Sequence, residues 1–184
     1  MCLERYIVEQ CAPTLASLKT GTMFGVIEQD VNELTRQVAE WQAELAPKGL
    51  VLTILRYRGG RALIYLGRLS QLSRDLAAPG AAELLRCYGY AEPDTENALR
   101  RLRERVLTTE SFPHEIGLFL GYPLQDVIGF IRDGGKNSKC TGYWQVYGDE
   151  QDAVRRFERY RKCSEVYMRL WAGGKSLQQL TVAA

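Results

Sequence analysis

One histidine, five cysteines and one glycine-rich basic loop carry most of the reactive chemistry that these 184 residues offer. The histidine, His114, is followed at once by Glu115 in the stretch FPHEIGLFLGYP. Neighbouring helical residues point about 100° apart, so the two side chains do not pair face to face. Pro113 suits a helix first turn, and Glu115 there complements the helix dipole. The reading is a helix opening at residues 111–113, with His114 exposed at its N-terminal end. Such an imidazole serves as a base, a haem or metal ligand, or a hydrogen-bond partner. The plainer alternative is a turn histidine bonded to a backbone carbonyl.

A single histidine excludes the two- and three-histidine metal sites, whereas haem needs only one axial ligand. Cys2, Cys11, Cys87, Cys140 and Cys163 are odd in number and widely spaced. With no C-x-x-C or C-x-C among them, neither a disulfide framework nor a standard four-ligand zinc site is expected. Two thiols are candidates for a nucleophile. Cys11 is read as lying near a helix start, where a thiol pKa falls, and Cys140 is the natural partner to test with His114. Against that stands the ordinary role of cysteine as a small core residue.

Two further patterns lie close to His114. In RDGGKNSKC, Lys136 and Lys139 flank a glycine pair and suit an anion held by backbone N–H groups and ammonium. The spacing is not that of a P-loop. The following GYWQVYG places Tyr143 and Trp144 on alternate faces of a strand. Residues 114–132 also have the outline of a helix-turn-helix. Its second helix carries Gln125, Asp126 and only Arg132 as polar reading groups, which disfavours base recognition. Residues 112–147 thus gather a unique histidine, a basic loop and an aromatic strand in one supersecondary unit. A pocket for a small-molecule ligand or redox cofactor is expected there, lined by His114, Glu115, Lys136, Lys139, Tyr143 and Trp144.

The elements that must hold this unit are legible from periodicity. LVLTILRYRGGRALIYLGRL reads as two strands around Gly59-Gly60, a two-residue hairpin over 50–67. A short β-prone piece covers 22–27, and a strand 141–147. Asp30 caps an amphipathic helix carrying Val31, Leu34, Val38, Trp41 and Leu45, and Asp149 caps a long one with Ala153, Phe157, Tyr160, Tyr167 and Trp171 on one face. Shorter helices are expected at 3–11, from Leu69, at 80–88 and at 94–108. The class is α+β: a small, mainly antiparallel sheet (hairpin 50–67, strand 141–147, and 22–27) covered by helices, in one domain over 1–184. Net charge is +2, too small to imply nucleic acid by charge alone. No apolar run reaches the roughly 20 residues of a membrane helix. Glu4, Arg5 and Glu9 interrupt what a signal peptide would keep apolar. A cytoplasmic protein is expected.

CAPTLASLKTGTMF, FPHEIGLFLGYPLQDVIGFI and GYWQVYGDEQDAVRRFERY together resemble the bacterial family called domain of unknown function 3793. The resemblance spans nearly the full chain. It marks His114–Gly117, Gly121–Pro123 and Gly142–Trp144 as the recurrent core, with Gln145 standing where the family pattern carries a basic residue. It implies a protein of anaerobic bacteria in haem, iron or electron-transfer metabolism, with haem or flavin as the cofactors to test and a flavodoxin-like redox partner. It assigns no catalytic residue.

Overall fold

The computed structural model describes residues 2–90, 94–109 and 111–183. A three-stranded sheet lies at its centre. β2 (Leu50–Arg58) and β3 (Arg61–Arg68) pair antiparallel around Gly59-Gly60, whose φ values of 56° and 73° are the left-handed conformation that this tight turn requires. β1 (Gly21–Ile27) pairs antiparallel with the other edge of β3, giving the order β1-β3-β2. A bulge between Ile54 and Arg56 adds one residue to β2. It lets Leu55 point to one face of the sheet while Ile54 and Tyr57 keep to the other.

Both faces are covered, which is why the strands read as nearly continuous apolar runs. On one face, Phe24, Val26, Leu50, Leu52, Ile64 and Leu66 pack against α1 (Leu3–Leu15), α2 (Val31–Leu45) and the C-terminal α9 (Leu177–Leu180). α1 buries Leu3, Ile7, Cys11 and Leu15 at four-residue spacing, and the long α8 (Glu150–Ala172) lies along it. Asp30 accepts from the N–H groups of Asn32 and Glu33, as its capping position predicts. On the other face, Leu55 and Tyr65 meet α3 (Leu69–Ala77), α4 (Ala81–Cys87), α5 (Thr95–Thr108) and α6 (Ile116–Phe119). The buried Tyr65 hydroxyl donates to the Phe119 carbonyl at 2.8 Å, tying α6 to the sheet.

Arg68, 1% exposed, ends β3 by donating to the carbonyls of Thr14, Leu15 and Val182 at 2.6, 2.6 and 2.8 Å. It satisfies orphan C-terminal carbonyls of α1 and pins the C-terminal segment beside them.

Three readings of the sequence are corrected. α1 does not stop at residue 11 but continues through Pro13 to Leu15. The proline takes a place in the last turn, where the helix ends before a long interruption of its bonding can build up. Cys11 therefore lies toward the end of a helix, not its start. The strand at 141–147 does not join the main sheet. It folds on itself as a separate hairpin, β4 (Cys140–Thr141) with β5 (Gln145–Val146). The helix after Pro113 begins only at Ile116 and is four residues long. Among the described residues no helix is long and apolar enough to cross a membrane.

Candidate functional site

The chain turns sharply after α6. Gly121 adopts φ 73°, and a Cβ there would come within 2.7 Å of the Thr20 hydroxyl. Tyr122 N–H donates back to the Gly117 carbonyl, and α7 (Leu124–Asp133) sets off in a new direction. The β4–β5 hairpin docks on this corner through one carboxylate. Asp126, 3% exposed, accepts from Trp144 Nε1 at 2.6 Å, from Tyr147 N–H at 2.8 Å and from Gly148 N–H at 2.6 Å. Through these bonds Asp126 positions the tryptophan and the start of the following loop.

Trp144 is thereby held against Tyr122, ring centroids 5.0 Å apart and nearly parallel, and edge-on to Phe157 at 4.5 Å. His114, exposed in the turn before α6, packs its ring 4.9 Å from that of Phe130 on α7. The histidine, Phe112, Tyr122, Phe130 and Trp144 line an open cleft of about 390 Å³, with Met23 of β1, Leu120 and Val127 as aliphatic wall. Thr141, Gln145 and Asp126 supply the polar edges. A cleft of this size, mostly apolar with a few polar groups, is the ordinary form of a small-ligand site.

Of the six ligand residues expected from sequence, the cleft brings His114 and Trp144 together. The other four lie elsewhere. Glu115, expected in a helix first turn and on the ligand, is 1% exposed and turned away from the cleft. There it pairs with Arg105 of α5 and accepts from the Tyr90 hydroxyl at 3.0 Å. Tyr143 faces outward against Phe157 and Tyr160. The loop lysines are both exposed. Lys139 donates to the Gly148 carbonyl at 2.6 Å, closing the hairpin. The N–H groups of Gly135 and Lys136 bond the carbonyls of Phe130 and Asp133, so these two N–H groups end α7 rather than cradle an anion.

The thiols are placed against easy ionisation. Burial pushes the Cys11 thiol up, with Lys19 only partly opposing. Burial and the neighbouring Glu150 and Asp126 carboxylates raise Cys140, and burial pushes Cys163 up to about 11. Cys2 and Cys87 are exposed. Native protein is therefore expected to react with a disulfide reagent at Cys2 and Cys87 first, and at Cys11 only on unfolding. Peptide mapping of labelled protein checks the order. Fast labelling of Cys140 would restore it as a nucleophile.

α7 turns Gln125, Ile128 and Arg132 outward, and Arg132 is paired with Asp133 at 2.6 Å. One paired cation is little for phosphate contacts. Among the described residues no cluster of three or more histidine, cysteine or acidic side chains is arranged to hold a metal.

Phe112, Tyr122 and Phe130 join the cleft without having stood out in the sequence. Their types alone do not separate cleft from core. Asp126 does carry a signal, being the only charged residue between Glu115 and Arg132. An isolated carboxylate in an apolar run is buried against donors or functional.

Comparison with the curated proteins and with the solved structures finds no match. A family model does match, over residues 7–181, and with that span the chain belongs to the family described as Protein of unknown function (DUF3793).

Proposed function

We propose that this protein binds a small, flat, largely apolar ligand or redox cofactor in the His114 cleft, and that it works in the cytoplasm. The observation that carries the reading is the stack of aromatic walls around one exposed imidazole. Tyr122 on Trp144 and His114 on Phe130 form two aromatic pairs lining the same cleft. Planar rings insert between such walls at little conformational cost, and the imidazole offers one directional contact or an axial nitrogen. Haem and flavin are the cofactors of that shape to test first. A flavodoxin-like redox partner and a place in haem, iron or electron-transfer metabolism rest on the family resemblance alone. Five cysteines without a disulfide fit a reducing compartment.

Haemin and flavin mononucleotide are to be titrated into the protein, following absorption and tryptophan fluorescence. Replacing Trp41 and Trp171 by phenylalanine leaves Trp144 as the sole reporter. Saturable quenching is expected with at least one of the two. His114→Ala is expected to weaken it by about tenfold, the worth of one good directional contact. Binding that His114→Ala and Trp144→Phe both leave unchanged would remove the site.

A further inference from the structure

We infer that a second cleft, which shares Tyr122 with the His114 cleft, binds the phosphate group of a small metabolite through Lys19 and Arg74. This inference stands apart from the ligand proposed for the His114 cleft. Lys19 is the only charged residue between Glu9 and Glu28, yet it is 6% exposed. Its ammonium donates to the Gly21 carbonyl and lies 5.3 Å from the centre of the Tyr122 ring. Among the described residues it has no carboxylate within ion-pair distance. A buried cation without a counter-charge is costly to keep, and a bound anion is what relieves the cost. Burial accordingly pushes the Lys19 amine down to about 8, with Cys11 opposing.

The cleft that Lys19 lines is open and about 510 Å³ in volume. Its charged lining is three cations, Lys19, Arg74 and Arg156, against one anion, Asp75. The anion is engaged: Asp75 accepts from the Thr20 hydroxyl at 2.5 Å and lies 3.5 Å from Arg74 Nε. Arg156 pairs with Asp152 at 2.7 Å and Arg74 shares Asp75, so of these three cations Lys19 is the one without a carboxylate partner among the described residues, and Arg74 is the more exposed second donor. Gln71 and the Tyr160 phenol add polar groups to the rim. Lys19 follows the C-cap of α1, where Ser17 takes φ 61° and the N–H groups of Ser17 and Leu18 bond the Thr14 and Pro13 carbonyls. A guanidinium and an ammonium lining one cleft suit phosphate, and the cleft is larger than phosphate alone, with Tyr122 and Tyr160 as ring surfaces for an organic substituent.

Calorimetric titration of the full chain with inorganic phosphate and with phenyl phosphate, at constant ionic strength against chloride, tests this. Saturable binding of both is expected, competitive with each other and tighter for the monoester. Lys19→Met is expected to weaken both by about tenfold or more, since it removes a charged hydrogen-bond donor. Arg74→Gln, on a mostly exposed side chain, is expected to weaken them by about threefold. Should Lys19→Met fail to fold by circular dichroism, Arg74→Gln decides alone. Absence of saturable binding by either compound, or affinities unchanged in every folded variant, overturns the inference.

Discussion

Arg105→Ala is expected to destabilise the protein by about 3–5 kcal/mol, because it strips a buried carboxylate of its cation. Glu115 is 1% exposed and reaches Arg105 Nε from the turn before α6. Without the arginine, the Tyr90 hydroxyl at 3.0 Å is the one side-chain donor left to it among the described residues. Arg105 also lays its guanidinium 4.9 Å from the Tyr88 ring, so packing is lost along with charge. The pair joins α5 to the turn that presents His114. Urea denaturation at neutral pH measures the loss. The double variant Arg105→Met with Glu115→Leu is expected to recover most of it, because hydrophobic replacement of both partners removes the unpaired charge. A double variant as unstable as the sum of its single changes would show that the pair is not coupled.

Asp126→Ala is the second large effect, about 3 kcal/mol, from three donors left without an acceptor. Trp144 Nε1 is the most costly of them, being buried with its indole. The N–H groups of Tyr147 and Gly148 lie nearer solvent and recover part of their loss from water. Asp126→Asn is expected to cost less, since its amide oxygen still accepts, though its NH₂ then faces donors. The change reaches function through one residue. Trp144 is both the side chain that Asp126 holds and a wall of the His114 cleft. Loss of stability, a red-shifted Trp144 emission and loss of ligand quenching are expected together. Unchanged emission would mean that Tyr122 and Phe157 suffice to hold the indole.

Carboxylates mark the boundary between what is local in this chain and what is not. Asp30 and Asp149 are legible as helix caps because a cap is local: the side chain bonds an N–H two or three residues on. The hairpin around Gly59-Gly60 is local in the same way, since the turn fixes its register. Glu115 and Asp126 look no different in sequence, but partners of theirs are 10 residues away in one case and 18 to 22 in the other. Glu115 reads as a helix-dipole residue until the position of α5 is known. Lys136 and Lys139 read as an anion loop until their segment is seen closing α7 and the hairpin. Lys19 and Asp126, each alone in an uncharged run, are the sequence's own hint of buried polar groups.

By itself, then, the sequence determined the α+β class, the central hairpin, the capped helices, the exclusion of multi-histidine metal sites and the family pattern. All of these rest on local periodicity, local bonds or residue counts. The tertiary structure decided the rest. It set the 141–147 segment apart as its own hairpin, turned Glu115 inward, buried Cys11 toward the end of a helix and made Tyr122 a wall of two clefts. Each depends on which surfaces meet once both faces of the sheet are covered, a matter of long-range packing. His114 is exposed, as its neighbours in the chain suggest, but it sits in the turn before α6 and not in a helix first turn, because the chain bends there to carry Glu115 inward to Arg105.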